Sequence, residues 1–372
     1  MASVLSRIQI ILEANTANYN NELRRARENS DSTFKKMGKA AGQLALGAGV
    51  AIAGLGATSL KVAGNFEAAM NGVRAVSNAT GEDFTKLRNT AKELGASTAF
   101  SATEAANGME FLAMSGMKTE QILSTIPNAL SLAAAGSLDL ASSADILSNI
   151  MTGIGLKADE SGRAADVLAQ AAASSNVDIQ MLGESMKYVA PIAKQLGMSL
   201  EETAAMVGVL GNAGIQGSEA GTALRSVYAR FATDDKALGH FKAMGINIKD
   251  ASGEMKSMTT LTGELAVAMK DMGADKRLAV FKEMAGTEAM SALAVSVDAM
   301  ADGSLPKLTK ELENSEGAAK KMADIRMEGL NGQLKGLASA WEGFLIELSD
   351  GGMLSGAAGA VGLLTAGLRE LT

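Results

Sequence analysis

The 372-residue sequence contains no cysteine, a single histidine, three prolines and only 3% aromatic residues. Without cysteine there are no disulfides, thiolate zinc sites, iron–sulfur clusters or cysteine nucleophiles. His240 stands alone, so a histidine-based metal site or a Ser-His-Asp triad has one candidate member at most, and a surface or core histidine is the simpler reading. Few aromatics argue against a β-sandwich, whose core wants aromatic and β-branched side chains. Pro127, Pro191 and Pro306 lie far apart and leave long stretches free to be helical.

Basic charge is also thin. The net charge is −7, the pI is about 5.1, and Lys and Arg cluster only in short pairs such as Arg24-Arg25, Lys35-Lys36 and Lys320-Lys321. Neutralising a phosphate backbone needs a basic face, so no specific nucleic-acid partner is expected. Val4 to Leu12 is short, is interrupted by Arg7 and lacks a small-residue cleavage site after it, so it does not read as a signal peptide, and synthesis and folding in a cytoplasm are expected.

What the sequence has is small and flexible apolar residues. It is 47% hydrophobic, with 41 glycines and 22 methionines. Such side chains suit closely packed helices, and the length allows two or three domains. The expected fold is mainly all-α: Ala/Gly-rich helical hairpins in a bundle or stack.

Three parts are expected. In the first, residues 1–62, Val4–Leu12 reads as a short strand and Ala17 to Met37 as a helix. On that helix Tyr19, Leu23, Ala26, Ser30, Thr33 and Met37 follow coiled-coil spacing. A charge-free run follows from Ala40 to Leu60, long enough to span a bilayer and with small residues at every fourth position or near it. Gly42, Leu44, Leu46, Gly49, Val50, Ile52, Ala53 and Leu55 are its candidate contacts, either for tight helix packing in an oligomer or tube, or for conditional or constitutive membrane contact.

The second part, residues 63–348, reads as a train of helices punctuated about every 20 residues, with candidate stops at Gly95, Gly116, Gly136, Gly155, Asn176, Gly197 and Gly217. An apolar residue follows several of them, as in Gly116-Met117, Gly155-Leu156 and Gly197-Met198, which suits a Schellman cap. Ser101-Ala102-Thr103-Glu104 and Ser199-Leu200-Glu201-Glu202 have the form of capping boxes. Ala102, Ala105, Ala106, Met109, Leu112 and Ala113 mark one buried face, and Leu140, Ala144, Leu147 and Met151 another. The helix from Ser199 to Leu210 is apolar almost all round and is expected at the centre. Residues 245–256 suggest a small β-hairpin, with Ile246 and Ile248 on one face and Asp250 to Gly253 as the turn. Helices follow through Leu261 to Met272, Asp275 to Met300 and Leu308 to Leu348. The third part, residues 349–372, is a second Gly/Ala-rich run, read as the start of a longer continuation.

Catalytic and cofactor patterns are weak. Gly47-Ala48-Gly49 and Gly54-Leu55-Gly56 lack the spacing, the following Gly-Lys-Ser/Thr and the preceding strand of a phosphate loop. The acidic pairs Asp234-Asp235 and Glu201-Glu202 fit solvated faces or helix N-termini better than acid/base catalysis or calcium ligation. No enzyme, cofactor or metal is expected.

One ordered set of motifs is specific. Phe66-Glu67-Ala68-Ala69-Met70, Val73, Ala75-Val76, Phe84, Leu87, Ala91, Leu94-Gly95, Thr98, Phe100-Ser101-Ala102 and Glu104-Ala105-Ala106 open it. Phe111 to Gly116, Leu130 to Ala135, Gly155 to Asn176, Gly214 to Ser218 and Gly221 to Arg225 continue it. Over Phe66 to Phe231, and more weakly to Leu348, this resembles the N-terminal core region of phage tail tape-measure proteins.

The resemblance implies a structural protein threaded inside a growing phage or prophage tail, around which tube subunits assemble, and which is released ahead of the DNA. It implies as partners the tail tube protein, tail assembly chaperones and tail-tip or baseplate proteins. It also implies a homo-oligomer in the tail lumen, transient host-membrane contact, and residence in the virion tail after assembly in the host cytoplasm. It carries over no catalytic residue. Members of that family are usually much longer, so the chain is expected to be a portion of a longer protein or to serve a short tail. The alternatives are a helical-repeat adaptor that binds a protein partner on a concave surface, and a membrane-active effector using residues 40–60.

Overall fold

The computed structural model describes residues 41–350, with the backbone alone for residues 41–57, 330 and 348. The expected strand Val4–Leu12, the heptad helix Ala17–Met37 and the run Gly351–Leu368 lie outside the described residues. Residues Val62–Gly351 form one compact unit.

Sixteen α-helices and no strand occur among the described residues. The long α1 (Ala41–Ser77) leads to α2 (Gly81–Ser97) and then to the regular train α3 (Ala102–Met114), α4 (Thr119–Gly136), α5 (Leu140–Ile154), α6 (Ser161–Ser174), α7 (Ile179–Gln195), α8 (Leu200–Asn212) and α9 (Gly217–Thr233). The short α10 (Asp235–Ala243), α11 (Met258–Ala268), α12 (Ala274–Ala285) and α13 (Met290–Ala301) follow. A return segment completes the unit: α14 (Ser304–Glu313), α15 (Ala318–Met327) and α16 (Leu330–Asp350).

Several helices stop beside left-handed residues. Gly116, Gly155 and Gly197 all have positive φ, and the apolar residue after each donates its N–H five residues back: Met117 to Leu112, Leu156 to Met151 and Met198 to Ala193. Those apolar residues pack on the core, which completes the Schellman arrangement. Gly214-Ile215 and Gly245-Ile246 repeat it. Both expected capping boxes are formed, Ser101 with Glu104 and Ser199 with Glu202.

Four of the expected stops work differently. Gly136 is the last residue of α4, and the left-handed turn is made by Ser137 at φ 53°. Asn176 keeps a negative φ, and its N–H donates to the Asn212 side chain. Gly217 opens α9, because Gly214 has already ended α8. Gly95 is buried inside α2, where an added Cβ would sit 2.5 Å from the Ala102 nitrogen, so this glycine permits the crossing of α2 and α3.

The spatial order has a period of two helices. One row runs α3, α5, α7, α9, and a second runs α4, α6, α8, with each helix packed on the next of its own row. Helices of the first row start at residues 102, 140, 179 and 217, so the repeat is about 38 residues. Glycine makes that row tight. A Cβ on Gly108 would meet Leu140 at 2.8 Å, one on Gly183 would meet Ile146 at 2.8 Å, and one on Gly221 would overlap the Ser185 carbonyl oxygen. Each interface of the row therefore has a glycine at its crossing, packed on a side chain at Gly108 and Gly183 and on backbone at Gly221, consistent with a core rich in alanine and poor in aromatics.

The two expected buried faces are buried, and α8 is enclosed on nearly all sides, including Thr203 and Glu201. Pro127 in α4 and Pro191 in α7 sit inside helices on their exposed sides. The expected β-hairpin at 245–256 is a looser reversal with one antiparallel bridge, Lys249–Met255. The Asp250 carboxylate accepts the N–H groups of Ser252 and Glu254 and so organises the turn, while Ile246 and Ile248 pack on the core. With two apolar side chains and the loop's charge, two longer strands have too little to bury.

Candidate functional site

The candidate contact residues Gly42, Leu44, Leu46, Gly49, Val50, Ile52, Ala53 and Leu55 fall in the first half of α1, whose backbone is helical; their side chains lie outside the described residues. Among the described residues no single helix is long and apolar enough to cross a membrane. Helices α4 and α5 meet that test only together, bent by 115° at their junction, and both line the core.

The residues singled out for chemistry are engaged in holding the fold. His240 Nε2 lies 2.7 Å from Glu283 Oε2 and joins α10 to α12. Asp234 caps α10 through the N–H groups of Lys236 and Ala237. Among the described residues no three His, Asp or Glu side chains gather as a metal site. An open cleft of about 520 Å3 lies between α16 and the turns before α3 and α5. Its carboxylates are committed: Glu104 accepts from the Ser101 N–H, Asp139 from the Ser142 N–H and Glu342 from the Thr103 N–H.

The polar groups converge instead on joints between helices. Glu201 is 5% exposed, and the Arg163 fork reaches both of its oxygens at 2.7 Å, tying α6 to α8. Burial by itself would raise the Glu201 pKa; the Arg163 hydrogen bonds and charge override this and hold it below the ordinary glutamate value. Sequence reading placed Glu201 at a helix N-terminus, which is correct, but its partner 38 residues away has no local signal.

A second set of joints closes the array with its own C-terminal helices. Helix α14 packs on α8, α15 on α6 and α4, and α16 on α2, so the return segment runs back along the second row. Asp166 of α6 accepts the N–H groups of Gly317 and Ala319 and caps α15 from outside. Arg326 reaches the Ser137 hydroxyl at 2.6 Å. On α16, the buried Ser339 hydroxyl lies 2.5 Å from the Gly95 carbonyl and 2.6 Å from that of Phe100. The end of α16 is tied by Lys92 to Glu347 at 2.9 Å and by Arg88 to Asp350 at 3.1 Å. Burial pushes the Asp350 pKa up, but Lys92 and Arg88 bring it below the ordinary aspartate value.

These features define a class: a two-row helical-repeat body, closed along one row by its own return segment and stabilised by joints between distant helices. Residues 88–286 match the family model described as Phage-related minor tail protein, and the chain belongs to that family. It is 38% identical over 294 residues to the tape measure protein of Pneumococcus phage Dp-1, covering 79% of this chain and 26% of that protein. It is 33% identical over 267 residues to the probable tape measure protein of Escherichia phage P2, covering 71% of this chain and 33% of that one. The chain thus spans about a quarter to a third of the length of the curated relatives it matches. No solved structure matches it.

Proposed function

We propose that this chain is part of a structural tape-measure protein that acts in the assembly of a phage tail and sets its length, and that it leaves the tail at genome ejection. The observation that carries the reading is the similarity to two proteins named as tape measures over more than two thirds of this chain. In this reading the protein is not an enzyme, lies inside the tail tube after assembly in the host cytoplasm, and contacts tube, chaperone and tail-tip proteins.

Within that role, the described unit serves as a body and not as the ruler. A ruler needs axial rise, and a helix supplies 1.5 Å per residue only when it is extended. Val62–Gly351 folds back on itself instead, with α16 packed beside α2. We retain the division into residues 1–62, 63–348 and 349–372 on sequence grounds, and assign the run Gly42 to Leu55 to close helix packing through its small-residue spacing, with transient membrane contact as its second use.

The experiment is a gene deletion in a tail-producing strain, with tails measured by electron microscopy. Loss of tails of normal length is expected, and intact tails would overturn the role. Inserting a short flexible segment in the exposed turn at Ser252-Gly253 tests the finer statement: a body leaves tail length unchanged, whereas a ruler lengthens it. The helical-repeat adaptor is disfavoured because α14 and α15 cover the second row, the face such an adaptor would leave open.

A further inference from the structure

Helix α16 is fastened to the body at its far end and only lightly before it. Between Asn331 and Ala338 the one buried residue is Gly332, and the atoms nearest a Cβ there belong to Met327, in the joint before the helix. Lys335 and Ala338 line the open cleft of about 520 Å3. The large apolar residues Leu334, Leu337, Trp341 and Phe344 are each at least half exposed, so they do not hold the helix down. Buried contact with the body begins at Ser339 and ends with Leu345 and Ile346, each 1% exposed.

The rest of the attachment is polar. The Ser339 hydroxyl sits between the Gly95 and Phe100 carbonyl oxygens, Glu342 accepts the Thr103 N–H at 3.1 Å, and Glu347 and Asp350 pair with Lys92 and Arg88. The segment before α16 is fixed differently: Ala319 and Ala323 are buried, and Asp166 and Arg326 bind α15 to the repeat array. Between the two, Glu328 and Gly329 are exposed, and a Cβ on Gly329 would meet nothing within 4 Å. Turning there disturbs no packed side chain. Within α16 the Trp341 and Phe344 rings stack with centroids 5.4 Å apart, an i, i+3 pair that supports the helix whether or not it is docked.

From this asymmetry we infer that α16 is a strap: it swings off the body as an intact helix about Glu328-Gly329, while Val62 to Met327 stays folded. Local openings of this kind fall on elements with few buried apolar contacts. Opening breaks the ion pairs at Lys92 and Arg88, uncovers Gly95 and Phe100, and frees the Thr103 N–H. Thr103 lies in the first turn of α3, where the helix has no acceptor of its own, so Glu342 is its partner. The use of the strap rests on the proposed tail role. Closed, it folds the end of the unit back beside α2; open, its 21 residues carry the chain roughly 30 Å from the body. The strap thereby sets whether the body leads into back-folded or extended chain.

The test uses the whole chain, which has no cysteine, so that a single introduced one is a unique thiol. Ser339→Cys places it under the strap, and Ser296→Cys, equally buried in α13, reports opening of the body. In native buffer a thiol reagent should modify the Ser339→Cys chain at least about tenfold faster than the Ser296→Cys chain. Adding Glu347→Ala and Asp350→Ala should speed the first by about tenfold and leave the second unchanged. Loss of two carboxylates from the last turn favours the helix itself, so faster labelling reads undocking and not melting. Molar salt should mimic the two alanines and add nothing to them. Amide exchange at Thr103 checks the same opening without a cysteine: the alanines should speed it about tenfold, with α8 unaffected. Equal protection of the two thiols, or labelling indifferent to the alanines, rejects the strap. Fast labelling with Thr103 exchange unmoved by the alanines rejects it too, because the cysteine has then loosened the helix by itself. Protected thiols remove the strap and leave the tail role standing, whereas intact tails after gene deletion remove the tail role and leave the strap.

Discussion

Asp166 on α6 and Ala319 at the start of α15 are 153 positions apart, yet the aspartate carboxylate accepts the Ala319 N–H at 2.9 Å, and its other oxygen accepts from Gly317 at the same distance. An N-cap is normally supplied from the residue just before its helix; here the cap comes from across the fold. It satisfies helix-terminal donors and pins the return segment to the repeat array.

Replacing Asp166 with alanine should therefore cost about 1–2 kcal/mol of stability, the scale of a lost N-cap. Hydrogen exchange should accelerate over residues 315–327 more than over α8, and Asp166→Asn, which keeps one acceptor oxygen, should recover part of the loss. Uniform exchange across the unit would contradict a local cap.

The glycine row makes a paired prediction. Gly221→Ala places a methyl against the Ser185 backbone and should destabilise by about 3 kcal/mol, since neither helix backbone can yield cheaply. Gly239→Ala, on an exposed position of α10 with nothing within 4 Å of the new methyl, should stabilise by about 0.5–1 kcal/mol through helix propensity. Urea denaturation of both variants reads the opposite signs directly.

Tyr228 is 2% exposed and its hydroxyl has no hydrogen-bond partner, so burial pushes its pKa upward. Removing an unpaired buried hydroxyl relieves its desolvation, and Tyr228→Phe should be neutral or stabilising by about 1 kcal/mol. A clear loss of stability in thermal melts would mean that the hydroxyl is satisfied in solution.

Acid should loosen the joints. Glu201 and Asp350 are held below their ordinary values by Arg163 and by Lys92 with Arg88, and Asp139 is lowered by its hydrogen bonds from Ser142. Because the folded values lie below the unfolded ones, the unfolded chain binds more protons in between, so this stability is complete above the unfolded values near pH 4 and is lost as pH falls through the folded ones. Denaturation midpoints should be flat above about pH 5 and fall below about pH 4. Glu201→Gln should flatten part of that acid limb, while Arg163→Ala should cost about 2–3 kcal/mol at neutral pH by leaving Glu201 buried without its fork.

Much of this was legible because it is local. Capping boxes at Ser101 and Ser199, the Schellman ends at Gly116, Gly155 and Gly197, and the buried faces of α3 and α5 all depend on residues within a turn or two, where sequence spacing and physical contact coincide. The repeat period and the family motifs are likewise linear. Gly95 misled for the same reason: a glycine that ends a helix and one that lets two backbones touch look identical until the neighbour is known.

The sequence by itself determined an all-α chain of short capped helices, the absence of thiol chemistry, and the family. Tertiary structure alone decided that helices pack mainly on their second neighbours, that Asp166, Ser339 and Lys92 bring the return segment onto the array, and that α16 buries Ser339 and Ile346 while leaving Leu334, Leu337, Trp341 and Phe344 exposed. The physical reason is that hydrophobic periodicity says which residues of a helix share a face, but not which of two faces finds a partner; that depends on the shape and unsatisfied polar groups of surfaces far away in the chain.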